Sequence, residues 1–169
     1  MTYDDLSLLV DYNYWARDRL LETVSALTPE QFTRDMGNSF GSVRDTIAHI
    51  CDAESIWLSR WEGGQPTGFK NPDRIADLAA VRTEWAELED RMREVLTRLG
   101  PDGVQRTLAY RDMRGAERSD VFWQMLQHVV NHGSYHRGQV TTMLRQLGAQ
   151  PPKYMDLIVF YRERAQVGR

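Results

Sequence analysis

Between residues 75 and 99, apolar side chains recur at steps of three and four. Ile75, Leu78, Val81, Trp85, Leu88, Met92, Val95 and Leu99 form this stripe. It is the near-heptad pattern of a long amphipathic helix whose apolar face packs against antiparallel neighbours. The faces between are charged and read as solvated surface. The pattern predicts a helix from about Asp73 to Leu99, stopped by Gly100-Pro101.

A segment this long rarely packs alone, and similar segments flank it. Leu6, Leu9, Val10, Tyr14, Leu20, Leu21 and Val24 predict a first helix over Tyr3 to Ala26, followed by a capped short turn at Thr28-Pro29-Glu30-Gln31. Gly37 to Gly41 is a loop. Ser42 is a good N-cap for a second helix carrying Val43, Ile47, Ile50, Trp57, Leu58 and Trp61, which ends before Gly63-Gly64. Pro66 to Pro72 is a second loop. Residues 104 to 117 allow a small β-hairpin around Arg114-Gly115. Ser119 is read as the cap of a fourth long helix from Asp120 to Gln146, ended by Gly148. After Pro151-Pro152, a short fifth helix is expected from Lys153 to Ala165. The sum is an all-α, antiparallel four-helix bundle with a short fifth C-terminal helix, in one domain spanning 1–169.

Charge and apolar content exclude several functions. The net charge of −3 gives no electrostatic case for nucleic acid. No apolar run approaches the roughly 20 residues of a membrane span. Acids replace the basic start of a signal peptide in MTYDDLSLLVDYNYW, and the single Cys51 forms no internal disulfide. A cytoplasmic protein is expected. Cys51 projects roughly 160° from His49 on the same helix and reads as a small core residue. The five tryptophans, Trp15, Trp57, Trp61, Trp85 and Trp123, read as core or pocket lining.

Three of the four histidines, His128, His132 and His136, fall four residues apart in HVVNHGSYHRGQ. Two histidines at i and i+4 share a helix face and chelate one ion at about 2.0–2.1 Å. The stretch offers two such pairs, 128/132 and 132/136. His128 and His136 are about 12 Å apart along the axis, too far for all three to meet one metal. A third ligand must come from another helix, and His49, at the edge of the second helix's apolar face, is the remaining histidine. The motif is not H-E-x-x-H, because Gly133 follows His132. A three-histidine site keeps a coordination position open, as catalytic centres do. Zn²⁺ and Ni²⁺ both accept imidazole. Asp45 and Asp52 flank His49 by one turn each and are candidate carboxylates for a hydrolytic reaction, although a first-turn acid such as Asp45 also serves as a helix cap.

Three stretches resemble the DinB/YfiT-like metalloenzyme superfamily, a widespread bacterial group. Tyr12-Asn13-Tyr14-Trp15-Ala16-Arg17 resembles its "YNxWA" opening. Ser39 to His49 resembles the approach to its first metal histidine. Asn131 to Gln139 resembles its "NHxxxHRGQ" motif. The resemblance implies a four-helix bundle, a divalent metal, a homodimer, and the ligand set His49, His132 and His136. It leaves His128 as pocket wall and makes Arg137 and Gln139 candidates for substrate, dimer or bundle contacts, beside Asp52, which its position one turn from His49 makes a candidate supporting or substrate residue. Some relatives look like transferases that join a low-molecular-weight thiol to an electrophilic small molecule in stress or detoxification. A metal-dependent thiol S-transferase is therefore the leading expectation, with a metal-dependent hydrolase or a non-catalytic metal-binding bundle as alternatives.

Overall fold

The computed structural model describes residues 1–66 and 68–167, leaving aside the side chain of Val167. It is mostly helical with one small two-stranded sheet. Helices α1 (Tyr3–Val24), α3 (Val43–Trp61), α4 (Leu78–Gly103) and α5 (Phe122–Gln146) are the long elements. A short α2 (Pro29–Thr33) and a C-terminal α6 (Leu157–Val167) complete the helices, and β1 (Thr107–Arg111) pairs antiparallel with β2 (Glu117–Val121). Helix α1 packs against α4 and α5, and α3 packs against the same two. Each long helix thus turns its apolar stripe toward one shared core, which includes the fully buried Leu6, Leu20, Ile47, Leu58, Trp85, Phe122 and Val140.

Local chemistry explains where the helices begin. Thr2 and Asp5 form a reciprocal capping box at α1, and Thr28 and Gln31 do the same at α2. Ser42 caps α3, its Oγ accepting from the Asp45 N–H at 3.1 Å.

Three helix starts differ from the sequence expectation. The third long helix does not start at Asp73. Pro72–Arg74 form a single 3-10 turn, and α4 begins at Leu78, where Asp77 accepts from the Ala80 N–H at 2.9 Å. Ile75 is buried all the same, because the loop folds back over the core. Gly100, at φ 59°, interrupts the helical geometry as expected, and Pro101 opens one further turn.

The fourth long helix is the second correction. Ser119 and Asp120 are not its cap and first residue. They lie in β2 opposite Ala109 and Leu108, so the hairpin is longer than the spacing suggested and the chain is not purely α. Helix α5 begins at Phe122 without a side-chain cap. Backbone carbonyls just before β1 take over that role, since Arg106 O accepts from Phe122 N–H at 2.9 Å and Val104 O from Trp123 N–H at 3.2 Å. The C-terminal helix likewise starts at Leu157 rather than Lys153.

Candidate metal centre

The packing of α3 on α5 carries His49 to the two histidines of α5. One ring nitrogen from each of His49, His132 and His136 lies within 4.8 Å of the others. The Nε2 atom of His132 is 3.1 Å from His49 Nε2 and 3.1 Å from His136 Nε2. Of the two pairs that helix spacing left open, 132/136 is the one His49 meets. His128 stands outside the group, exposed one turn away, with its ring edge-on to Trp57 at 5.5 Å and 6.0 Å from the His132 ring. It borders the site at its rim rather than forming a buried wall.

Protonation decides what this convergence can hold. Gln139 Oε1 accepts from the Nδ1–H of His136 at 2.7 Å, which fixes the tautomer and leaves the His136 Nε2 lone pair facing inward. His132 Nε2 has at most one proton to give, yet it faces two nitrogen neighbours at the same distance. Hydrogen bonding can satisfy one of these contacts but not both. Three imidazole nitrogens on one tetrahedral ion at 2.0–2.1 Å would lie about 3.3 Å apart, close to the two 3.1 Å contacts and inside the 4.8 Å that bounds all three. The residues therefore fit a shared divalent cation. Burial, reinforced by the neighbouring His136, pushes His49 down to about 4, and burial with His136, His49 and His128 does the same for His132. Both are neutral near pH 7, the form that ligates metal.

Aromatic rings enclose the cluster. Phe40 stacks on His49 with centroids 4.0 Å apart and meets the His136 ring edge-on at 5.3 Å. Gly41, at φ 75°, lets the preceding loop turn so that Phe40 reaches this position. Phe69, from the loop before the 3-10 turn, lies 4.9 Å from His49 on another side. Neither phenylalanine was singled out from the sequence, since each sits in a polar loop without periodicity.

The remaining candidates divide. Asp52 is only 3% exposed and is committed: Oδ1 accepts from Arg74 at 2.6 Å and Oδ2 from the Lys70 N–H at 3.0 Å. It anchors the loop that carries Phe69. Asp45 accepts from Arg44 Nε at 2.8 Å beside the N-cap of α3. Cys51 is fully buried and outside the cluster, as expected of a core residue. Trp85 is core, and Trp15, Trp57, Trp61 and Trp123 are partly buried against it.

Arg137 follows His136 but points away from the cluster, into the core. It is 1% exposed, donating from Nη1 to Asn13 Oδ1 at 2.8 Å and from Nη2 to Ser134 Oγ at 2.9 Å. The Asn13 amide uses its other end to donate to Glu54 Oε1 at 2.9 Å. Asn13 thus links a buried carboxylate on α3 to a buried guanidinium on α5. A Cβ at position 133 would lie 2.9 Å from Arg137 Nη1 and 3.2 Å from Asn13 Oδ1, so Gly133 makes room for this junction. Sequence reasoning missed Glu54, although a signal existed. The series 43, 47, 50, 54, 57, 61 is heptad-spaced, and Glu54 is the charged residue inside it.

Fold and site together define a helical protein that gathers three histidines from two helices beneath an aromatic cover. The DinB family's sequence profile matches residues 1–164, and the chain belongs to that family. It is similar to Protein DinB of Bacillus subtilis (strain 168), 26% identical over 162 residues that cover 90% of this chain and 92% of the relative. Its fold is similar to that of a DinB-like protein from Bacillus cereus ATCC 10987, with a TM-score of 0.63 at 18% identity over 86% of this chain and 95% of that one.

Proposed function

We propose that the protein is a divalent-metal-dependent enzyme whose ion is held by Nε2 of His49, His132 and His136, and that it joins a low-molecular-weight thiol to an electrophilic small molecule. The observation that carries the metal is the double 3.1 Å contact at His132 Nε2, which protons alone leave half-satisfied. An all-imidazole donor set suits Zn²⁺ or Ni²⁺. When bound, such an ion supplies Lewis acidity that favours the ionised form of a thiol in an open position.

The chain's own residues prepare that position. Gln139 aims His136, burial keeps His49 and His132 unprotonated, and Phe40 and Phe69 shield the rings from water. The thiol chemistry rests on the family resemblance. The same proposal covers a cytoplasmic homodimer, which rests on the family resemblance, of single-domain chains; the packing of α1 and α3 with α4 and α5 supports the antiparallel four-helix bundle of each.

Hydrolysis is the second reading, because Asp45 and Asp52 line the same recess as His49. Their engagement with Arg44 and Arg74 leaves neither carboxylate free to act as a base, which weighs against it. The deciding experiment is anomalous scattering on protein purified without a metal-affinity tag, together with thiol consumption in the presence of model electrophiles. Metal at the three histidines and turnover lost in His49→Ala and His132→Ala support the proposal. Turnover unchanged in those variants sinks it, ester or amide cleavage without thiol favours hydrolysis, and metal without any turnover leaves a binding protein.

A further inference from the structure

A recess of about 280 Å³ opens directly beside His49, lined in part by Phe40, Asp45, Ala48, His49, Phe69 and Lys70. Three larger recesses, of about 410, 450 and 430 Å³, include none of the three histidines. The small one is at the lower end of small-molecule sites, which run from roughly 300 to 1,000 Å³, so it suits a single ring with short substituents.

Its most telling feature is Phe69. This side chain is 55% exposed, yet its ring lies 4.9 Å from that of His49 and lines the recess. The loop does not leave it there loosely. The Lys70 N–H, next in the chain, donates to the buried Asp52, and Arg74 ties Asp52 to Glu84 at 2.6 and 3.0 Å. Phe40 is mounted as firmly, since the Met36 N–H donates to Gly41 O at 2.9 Å just behind it. Two anchored loops therefore hold two phenyl rings against one histidine.

Charge completes the description. Asp45 is paired with Arg44, which also meets Asp73, and Asp52 with Arg74, which also meets Glu84, while the Lys70 ammonium stands on the rim, 3.9 Å from Glu84. Both carboxylates that line the recess are thus engaged by a guanidinium, and its apolar walls are Phe40, Ala48, Phe69 and Pro72.

The geometry points to a binding site for the flat, uncharged, apolar part of a small-molecule substrate, with Phe40 and Phe69 as its specificity-determining residues. It rests on the functional reading above in one respect: the occupant is taken to be the electrophile whose reactive end faces His49, the cluster histidine that lines the recess. The substrate class is then an electrophile with a single aromatic or similarly flat apolar ring.

Benzyl alcohol and 1,4-butanediol, titrated into chelator-treated protein and followed by saturation-transfer NMR, test this directly. Benzyl alcohol is expected to bind and 1,4-butanediol not. Phe69→Ala is expected to weaken benzyl alcohol binding about fivefold with no change in metal content, because the residue is exposed and contributes apolar contact without ligating. Phe40→Leu should weaken it as well. His132→Ala, which removes a metal ligand, should leave the affinity within about twofold of wild type, so a failed metal proposal and a failed ring site give different results. Absence of benzyl alcohol binding, equal binding of the diol, or an affinity indifferent to Phe69→Ala each overturns the inference.

Discussion

Gln139 Oε1 lies 2.7 Å from His136 Nδ1, one helical turn along α5. That contact sets which nitrogen of His136 faces the cluster. Carbonyl and carboxylate partners behind a ligating histidine typically contribute 10- to 100-fold in metal affinity. Gln139→Ala is therefore expected to weaken zinc binding by about tenfold or more, measured by competition with a chromophoric chelator, while leaving the fold intact. Affinity unchanged in this variant would mean that the Nδ1 contact does not orient the ring.

The metal-free protein should lose stability in a particular acid window. Burial holds His49 and His132 at about 4, below the ordinary histidine value of about 6.5. Between those values the unfolded chain binds protons that the folded chain does not, so stability falls as pH drops from about 6.5 to 4 and levels off with respect to these groups below that. Both rings are only partly buried, so the slope is modest. Urea unfolding in the presence of a chelator, across pH 7.5 to 4, should show this slope, and the His49→Gln/His132→Gln double variant should flatten it. A double variant with the wild-type slope would assign the acid sensitivity to other groups.

Asn13 is expected to matter for folding rather than for chemistry. Its amide separates and satisfies two buried charged side chains, Glu54 and Arg137. Burial raises the pKa of Glu54 and lowers that of Arg137, so each ionised form relies on its hydrogen bonds. Asn13→Leu takes one hydrogen bond from each partner, leaving Glu54 with Tyr14 and Arg137 with Ser134, and should cost about 3 kcal/mol in urea unfolding. A loss below about 1 kcal/mol would show that the pair is satisfied without the amide. In the same experiment the metal stoichiometry of the folded fraction should remain that of wild type.

Helix existence and the chelating spacing were legible in the residues themselves, because both follow from local geometry. The stripe from Leu78 to Leu99 and the i, i+4 spacing of His128, His132 and His136 depend only on 1.5 Å of rise and 3.6 residues per turn. Caps at Ser42 and Thr28 follow from side chains three residues or fewer from their partners. The start of α5 was not legible. Its first N–H groups are satisfied by carbonyls of residues 104 and 106, so the hairpin sets the boundary rather than Ser119.

Tertiary structure decided what local spacing left open. Helix geometry made 128/132 and 132/136 equivalent, and family resemblance chose between them. The packing of α3 on α5 then brought His49 within 3.1 Å of His132 and left His128 at the rim. The same packing joined Asn13, Glu54 and Arg137 across three helices, and anchored loops set Phe40 and Phe69 over His49. Such contacts bridge dozens of residues of chain and depend on the depth and rotation at which helices meet. The sequence by itself determined the helices and which residues each could present. The distances between helices, and so the identity of the site, came from how the core packs.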